Sequence, residues 1–291
     1  MAAKNSIGEL SPDMQKAGVA LVETEANTCT LTIPDSAQLS ESIRLSCGAS
    51  AEMHIVVGKR ARAIVVITMQ PKQGIESSVY VHAGEESSVT MILVQHASDA
   101  SVQISQHGHI ENGAAIRWQN VTLGGASVTH DLRTDISGAD AKSTVEWVCI
   151  ARGKEKCSLS VHNVFLGKRG GGEITMKAVA EDHAHVTAKG MIEIGPEGGG
   201  TDTYLTQNVL MLDPTARVDA VPALEIKTND VKASHAASIA RVTPEDLFYL
   251  QSRGIVEREA KRMFVEGFVT DIISNIDDEI VREEILHSLN T

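Results

Sequence analysis

The chain has 291 residues, which is room for one large domain or for a domain with an appendage. Its 42% apolar content supports a substantial core. A formal charge of −12 and only 3% aromatic residues argue against a nucleic-acid binder, which needs clustered Lys and Arg and rings for base stacking.

The four cysteines, Cys29, Cys47, Cys149 and Cys157, are widely spaced and form no C-x-x-C pair. That pattern fits neither a disulfide framework nor a zinc ribbon, and points to reduced thiols in a cytoplasmic protein. Residues 1–8 lack a basic region followed by an apolar stretch, so no signal peptide is expected. No apolar run reaches the roughly 18 residues of a membrane span.

Within 1–50, Pro12 opens a short helix to Lys16. Residues 29–33 alternate as a strand until Pro34 and Asp35 break it. The rest of 1–50 reads as a poorly defined N-terminal segment. From 51 to 226 short β-rich runs alternate with small, Gly-, Asp- and Asn-rich turns. Val145, Trp147 and Cys149 share one parity; Cys157, Leu159 and Val161 form a second such row. The turns recur in kind, as at 83–86, 111–114, 138–141, 170–172 and 198–200. No helical period lies between the strands, which excludes a doubly wound α/β sheet. The texture predicts a mainly β fold, a right-handed parallel β-helix over 51–238, with a β-sandwich as its rival.

After 226 the texture changes. Thr243 is a helix N-cap, Pro244 takes the first helical position, and Glu245 and Asp246 fill the first turn. Gly254 marks the stop. A second helix over 257–273 places Ala260, Phe264, Val265, Phe268, Ile272 and Ile273 at three- and four-residue steps. A last one over 277–289 stripes Ile280, Val281, Ile285 and Leu289. Residues 239–291 are therefore expected to form a small C-terminal α-helical module.

Two stretches, 218–226 with Pro222, Ala223, Leu224, Glu225 and Ile226, and 230–237 with Asp230, Val231, Lys232, Ser234 and His235, resemble the terminal rungs of the SufB/SufD family. Residues 247–255, running from Leu247 through Phe248, Tyr249, Leu250, Arg253 and Gly254 to Ile255, resemble the family's helix signature. Val265 to Phe268 resembles the helix that follows it. The match is closer to SufD, with a minimal SufB-like homodimer as the alternative, and the chain is shorter than typical members at its N-terminus.

The resemblance implies a non-enzymatic scaffold subunit of an iron–sulfur cluster assembly complex. It implies a β-helix that dimerises with a second SufB/SufD-like chain or with a copy of itself, near 224–238. It further implies a helical module that docks a SufC-like ABC-type ATPase through Phe248, Tyr249, Leu250, Arg253, Gly254, Ile255 and Phe268. A transient iron–sulfur cluster is the implied cofactor. The glycine clusters lack the Lys-Ser/Thr of a phosphate loop, so this chain is not expected to bind ATP. The competing account of the helical module is a cap on the solenoid end.

His235 stands where SufD-like members carry a His beside a Cys, but Ala233 and not Cys precedes it by two. SufB-like members have His then Glu, whereas Ala236 follows here. Cys149 and Cys157 are thiolate candidates for iron, against their reading as small buried hydrophobes. His235 ranks above both, because it lies in the matching segment. His183 with His185, and His107 with His109, each put two imidazoles on one strand face, without an evident third ligand. A β-helix carbohydrate-active enzyme or binding protein is the alternative of a different class. It requires aromatic sugar platforms that two Trp and three Tyr scarcely supply.

Overall fold

Successive strands alternate between two sheets, so the chain winds as a coil of stacked rungs. The structure, a computed structural model, describes residues 8–24 and 27–289. Residues 1–7, read above for a targeting signal, lie outside that set. One sheet has nine strands, in spatial order β1 (Ala20–Glu23), β2 (Thr28–Ile33), β4 (Glu52–Val57), β6 (Ile75–Ala83), β8 (Ser101–Ile110), β10 (Ser127–Ile136), β12 (Lys156–Phe165), β14 (His185–Ile194) and β16 (Arg217–Ile226). The other has eight: β3 (Ile43–Cys47), β5 (Arg62–Met69), β7 (Ser88–His96), β9 (Ala115–Leu123), β11 (Lys142–Ala151), β13 (Gly171–Ala180), β15 (Thr201–Met211) and β17 (Val231–Arg241). Every pairing is parallel except β1 on β2. This is a parallel β-solenoid. The sandwich is excluded because its sheets would be antiparallel.

The recurring turns are one stacked corner. Arg60, Glu86, Gly113, Asp140, Arg169 and Gly200 occupy the same corner in successive rungs, all with positive φ. Each donates its amide to a corner carbonyl of the next rung, at 2.6–2.9 Å. A small buried residue follows each: Ala61, Ser87, Ala114, Ala141, Gly170 and Thr201. Holding a non-glycine residue in this left-handed region costs roughly 1–2 kcal/mol. The shared corner geometry outweighs that cost at Arg60, Glu86, Asp140 and Arg169.

Strand pairing starts before residue 51. β2 and β3 already belong to the two sheets, although 1–50 reads as poorly defined in sequence. Their rung is short and broken at Pro34, which hides its period. Helix α1 (Pro12–Lys16) forms as expected, with Ser11 as N-cap and Met14 buried.

Inward side chains fill the tube, with Trp118, Trp147 and Phe165 fully buried among Leu, Ile, Val and Met. A second apolar layer lies outside it. Val66, Ile92, Val121, Val148, Val179 and Leu210, on the outer face of the eight-stranded sheet, pack against helices α3 (Glu257–Ser274) and α4 (Glu279–Leu289). Fully burying each such side chain contributes about 1.5–3 kcal/mol. The helical module therefore does not cap the solenoid end; it lies along its flank.

Polar ties fix its course. Lys261 reaches Asp213 at 2.9 Å, and Lys177 reaches Asp271 at 2.5 Å. Arg117 reaches Asp277 at 3.1 Å, and Arg44 on β3 reaches Asp278 at 2.6 Å. The module thus spans the sheet from the end of β15 to β3. Burial alone would push the Asp278 carboxyl up. Hydrogen bonds from Ser42, Arg44 and the Val281 amide, with the Arg44 charge, outweigh it and hold the carboxyl below the usual carboxylate range.

His130 stands inside the tube. Its Nε2 lies 2.9 Å from Gln106 Oε1, and its ring meets Trp147 edge-on at 4.4 Å. Burial pushes its imidazole down to about 3, so it folds neutral. An unfolded histidine takes up its proton near pH ~6.5. Below that pH the unfolded state binds the extra proton, so the stability contribution is intact above ~6.5 and is lost as pH falls towards about 3. The limiting slope is about 1.4 kcal/mol per pH unit. Denaturant midpoints taken between about pH 6.5 and 4.5 are expected to fall more steeply for the wild-type chain than for His130→Phe. Equal slopes would show that His130 is not held neutral.

Candidate functional site

The two ends of the solenoid differ. At the first end the edge strands β1 and β3 are only four and five residues long; β1 lies antiparallel on β2, and Gly8 bridges Leu45. At the other end β16 and β17 each pair on one side only among the described residues. They are 10 and 11 residues long and leave a row of main-chain donors and acceptors open to pairing. The inward-facing row of this last rung is also uncovered. Ile226 is 42% exposed and Ile239 56%.

His235 sits in that row. Its register partner is Leu205, which is buried in the rung below, whereas His235 itself is exposed. Ala233 and Ala237, two residues to either side in the same row, leave space around the imidazole.

Cys149 and Cys157 lie elsewhere, buried inside the tube near the corner where β11 turns into β12. The structure brings these two together. A hydrogen bond between the thiols, and then burial, push Cys149 well above its ordinary value. Burial first, and then the Glu23 charge, push Cys29 up to about 11. Burial likewise raises Cys47, against opposing hydrogen bonds with Ala49 and Ser77. All four cysteines are buried among apolar neighbours, and as they stand they pack as small core residues. Among the described residues no three His, Cys, Asp or Glu side chains are arranged around a common metal position. His185 pairs with Asp219 at 2.8 Å, away from His235.

The third feature is helix α2 (Pro244–Gln251). Thr243 and Asp246 close a capping box: the Thr243 hydroxyl accepts from the Asp246 amide, and the Asp246 carboxylate accepts from the Thr243 amide. The helix has an apolar body yet buries none of its residues. Phe248 is 71% exposed and Tyr249 58%. Arg253 lies 5.3 Å from the Tyr249 ring centre. Leu250 and Tyr249 line a cavity of about 390 Å³ with Met263 and Phe264 of α3. Gly254, at φ +87°, turns the chain into α3, and Ile255 is half-buried beside it. Phe268 differs from these residues. It is half-buried on the sheet side, with Lys177 Nζ 5.0 Å from its ring centre. Sequence reasoning missed exposed Met263, which lines that cavity beside α2, because next to Phe264 and Val265 it reads as one more apolar residue of α3.

The family model described as "SUF system FeS cluster assembly, SufBD core domain" matches residues 40–268. The iron–sulfur cluster assembly protein SufD of Bacillus subtilis (strain 168) is 28% identical over 224 residues, which is 76% of this chain and 51% of that protein. An iron–sulfur cluster assembly SufBD family protein of Mycobacterium leprae is 30% identical over 252 residues, 81% of this chain and 63% of that one. SufD of Escherichia coli (strain K12) is 30% identical over 168 residues, 56% of this chain and 39% of that protein. The chain thus spans between 39% and 63% of these relatives' own length.

The thiol geometry makes a direct prediction. In native buffer Cys149 and Cys157 are expected to resist iodoacetamide, and all four cysteines to react once guanidinium unfolds the chain. Peptide mass mapping reads both states. Rapid native modification of Cys149 would contradict the buried placement.

Proposed function

Because the chain belongs to the SufB/SufD family, we propose that it is a non-enzymatic scaffold subunit of a SUF-type iron–sulfur cluster assembly complex in the cytoplasm. The observation that carries this reading is the asymmetry of the solenoid, with short edge strands at β1 and β3 and long ones at β16 and β17. An exposed edge of that length is a template for another strand. A second SufB/SufD-like chain, or a copy of this one, covers it and places His235 at the seam. The cluster is then cargo held at that seam, and His235 ranks above the buried Cys149 and Cys157 as a ligand because it alone is accessible there. Among the described residues no helix is long and apolar enough to cross a membrane.

Helix α2 supplies the second contact. Exposed aromatic side chains on a helix with no fully buried residue are a docking surface of hot-spot composition. Its partner in this reading is an ABC-type ATPase. ATP binding and closure of the ATPase move α2, and the α3–α4 brace carries that motion along the flank of the solenoid. This chain hydrolyses nothing.

The carbohydrate reading loses its two tryptophan platforms and keeps only the exposed Tyr80, Tyr204 and Tyr249. Trp118 and Trp147 are both fully buried inside the tube.

Deleting the whole module is a poor test, because it bares the apolar stripe from Val66 to Leu210. Phe248→Ala with Tyr249→Ala leaves the fold intact, since both side chains face solvent. Association with a SufC-like ATPase, measured by calorimetry, is expected to weaken about 30-fold or more, as for a hot spot of about 2 kcal/mol. An unchanged affinity would remove α2 from the interface. For the seam, Ile239→Lys is expected to abolish the dimer seen by light scattering, alone or with a related chain. A dimer that persists would place the contact elsewhere.

A further inference from the structure

Parallel register stacks residues that hold the same position in successive rungs. On the outer face of the nine-stranded sheet, His54, Tyr80 and His107 form one column. Their rings stack at 5.0 and 5.2 Å, with planes within 13°. Two residues further along each strand, His82, His109 and Asp135 form the neighbouring column. His82 and His109 stack at 5.3 Å and 8°. These spacings follow the roughly 4.8 Å between strands. Between the two columns lies a groove of about 240 Å³. Among the described residues no helix packs on this face; α3 and α4 lie on the other sheet. Four of the chain's eleven histidines therefore line one open groove.

The sequence shows only His107 and His109 as a pair on one strand. Folding adds the third and fourth imidazoles from the rungs below. It also adds a carboxylate in a telling place. Glu111 Oε1 lies 3.0 Å from His82 Nε2. A carboxylate that accepts from one imidazole nitrogen leaves the other bare, and this is the usual support of a metal-ligating histidine. The imidazoles of His107 and His109 make no side-chain hydrogen bond among the described residues, so their nitrogens are free to ligate.

We propose that this groove binds a divalent first-row transition-metal ion, of the class that imidazole prefers, through His82, His107 and His109. Glu111 acts as the positioning residue for His82. The rings now lie parallel and their nitrogens do not meet at one point. The terminal torsion of histidine is broad, and at a solvent-facing position it turns at little cost. Metal binding therefore reorients the rings and unstacks His82 from His109. Protons compete with the metal for the same nitrogens, so affinity falls on acidification. The site is complete within one chain and does not depend on the assembly role proposed above.

The test uses the full chain freed of metal with a chelator and titrated with Co²⁺, followed by visible absorption and calorimetry. One equivalent is expected to bind, displaceable by Zn²⁺, and to protect His82 and His109 from carbethoxylation read by mass spectrometry. His82→Ala and His109→Ala are each expected to weaken binding at least about tenfold, and Glu111→Gln by about 10-fold or more, as for loss of a carboxylate behind a ligating histidine. His183→Ala with His185→Ala serves as the control and is expected to leave binding unchanged. Circular dichroism confirms that each variant is folded. Equal Co²⁺ affinity in the wild-type chain and the His82→Ala, His109→Ala double variant overturns the proposal. So does an equal loss in the His183, His185 control.

Discussion

Each rung of this solenoid is held by main-chain hydrogen bonds to the rung before it and the rung after it. That ladder governs the rest of the molecule. It brings equivalent residues into columns, so a preference at one position repeats down the sheet. Inside, the columns are apolar and close-packed. At one corner they are left-handed residues whose amides reach the next rung at 2.6–2.9 Å. Outside, they become whatever the two faces need.

Those faces differ. The eight-stranded sheet carries Val, Ile and Leu outward and is sealed by α3 and α4, with ion pairs at Asp213, Asp271, Asp277 and Asp278 along the line of contact. The nine-stranded sheet carries imidazoles and charges outward and stays open to solvent. Helix α2 reaches this layer through Leu247, while Phe248 and Tyr249 face solvent.

Much of this was legible in the sequence. The repeated small turns at 83–86, 111–114 and 138–141 are the stacked corner, and the Thr243–Asp246 start of α2 is visible as a capping pattern. The period-two rows at Val145–Cys149 and Cys157–Val161 state which side chains face inward. Other features depend on distance along the chain that no local pattern reports. The first rung is too short and too broken at Pro34 to show its period. Which flank the last helices cover is decided by the outward Val and Ile of strands many rungs apart. The nearness of Cys149 to Cys157 comes from a corner that faces two strands at each other. His235 stands out in the sequence by its place in the matching segment, but its exposure on the last rung comes from the fold.

The unequal edges bear on assembly. A parallel solenoid with two long matched edges is a filament subunit, since each added copy presents a fresh edge. Here the first end offers only the four residues of β1, set antiparallel, and the five of β3, against 10 and 11 residues at the last rung. A copy laid head to tail on the long edge would meet a short edge of the wrong direction. The reversal near residue 20 thus works against growth of the coil into a fibre.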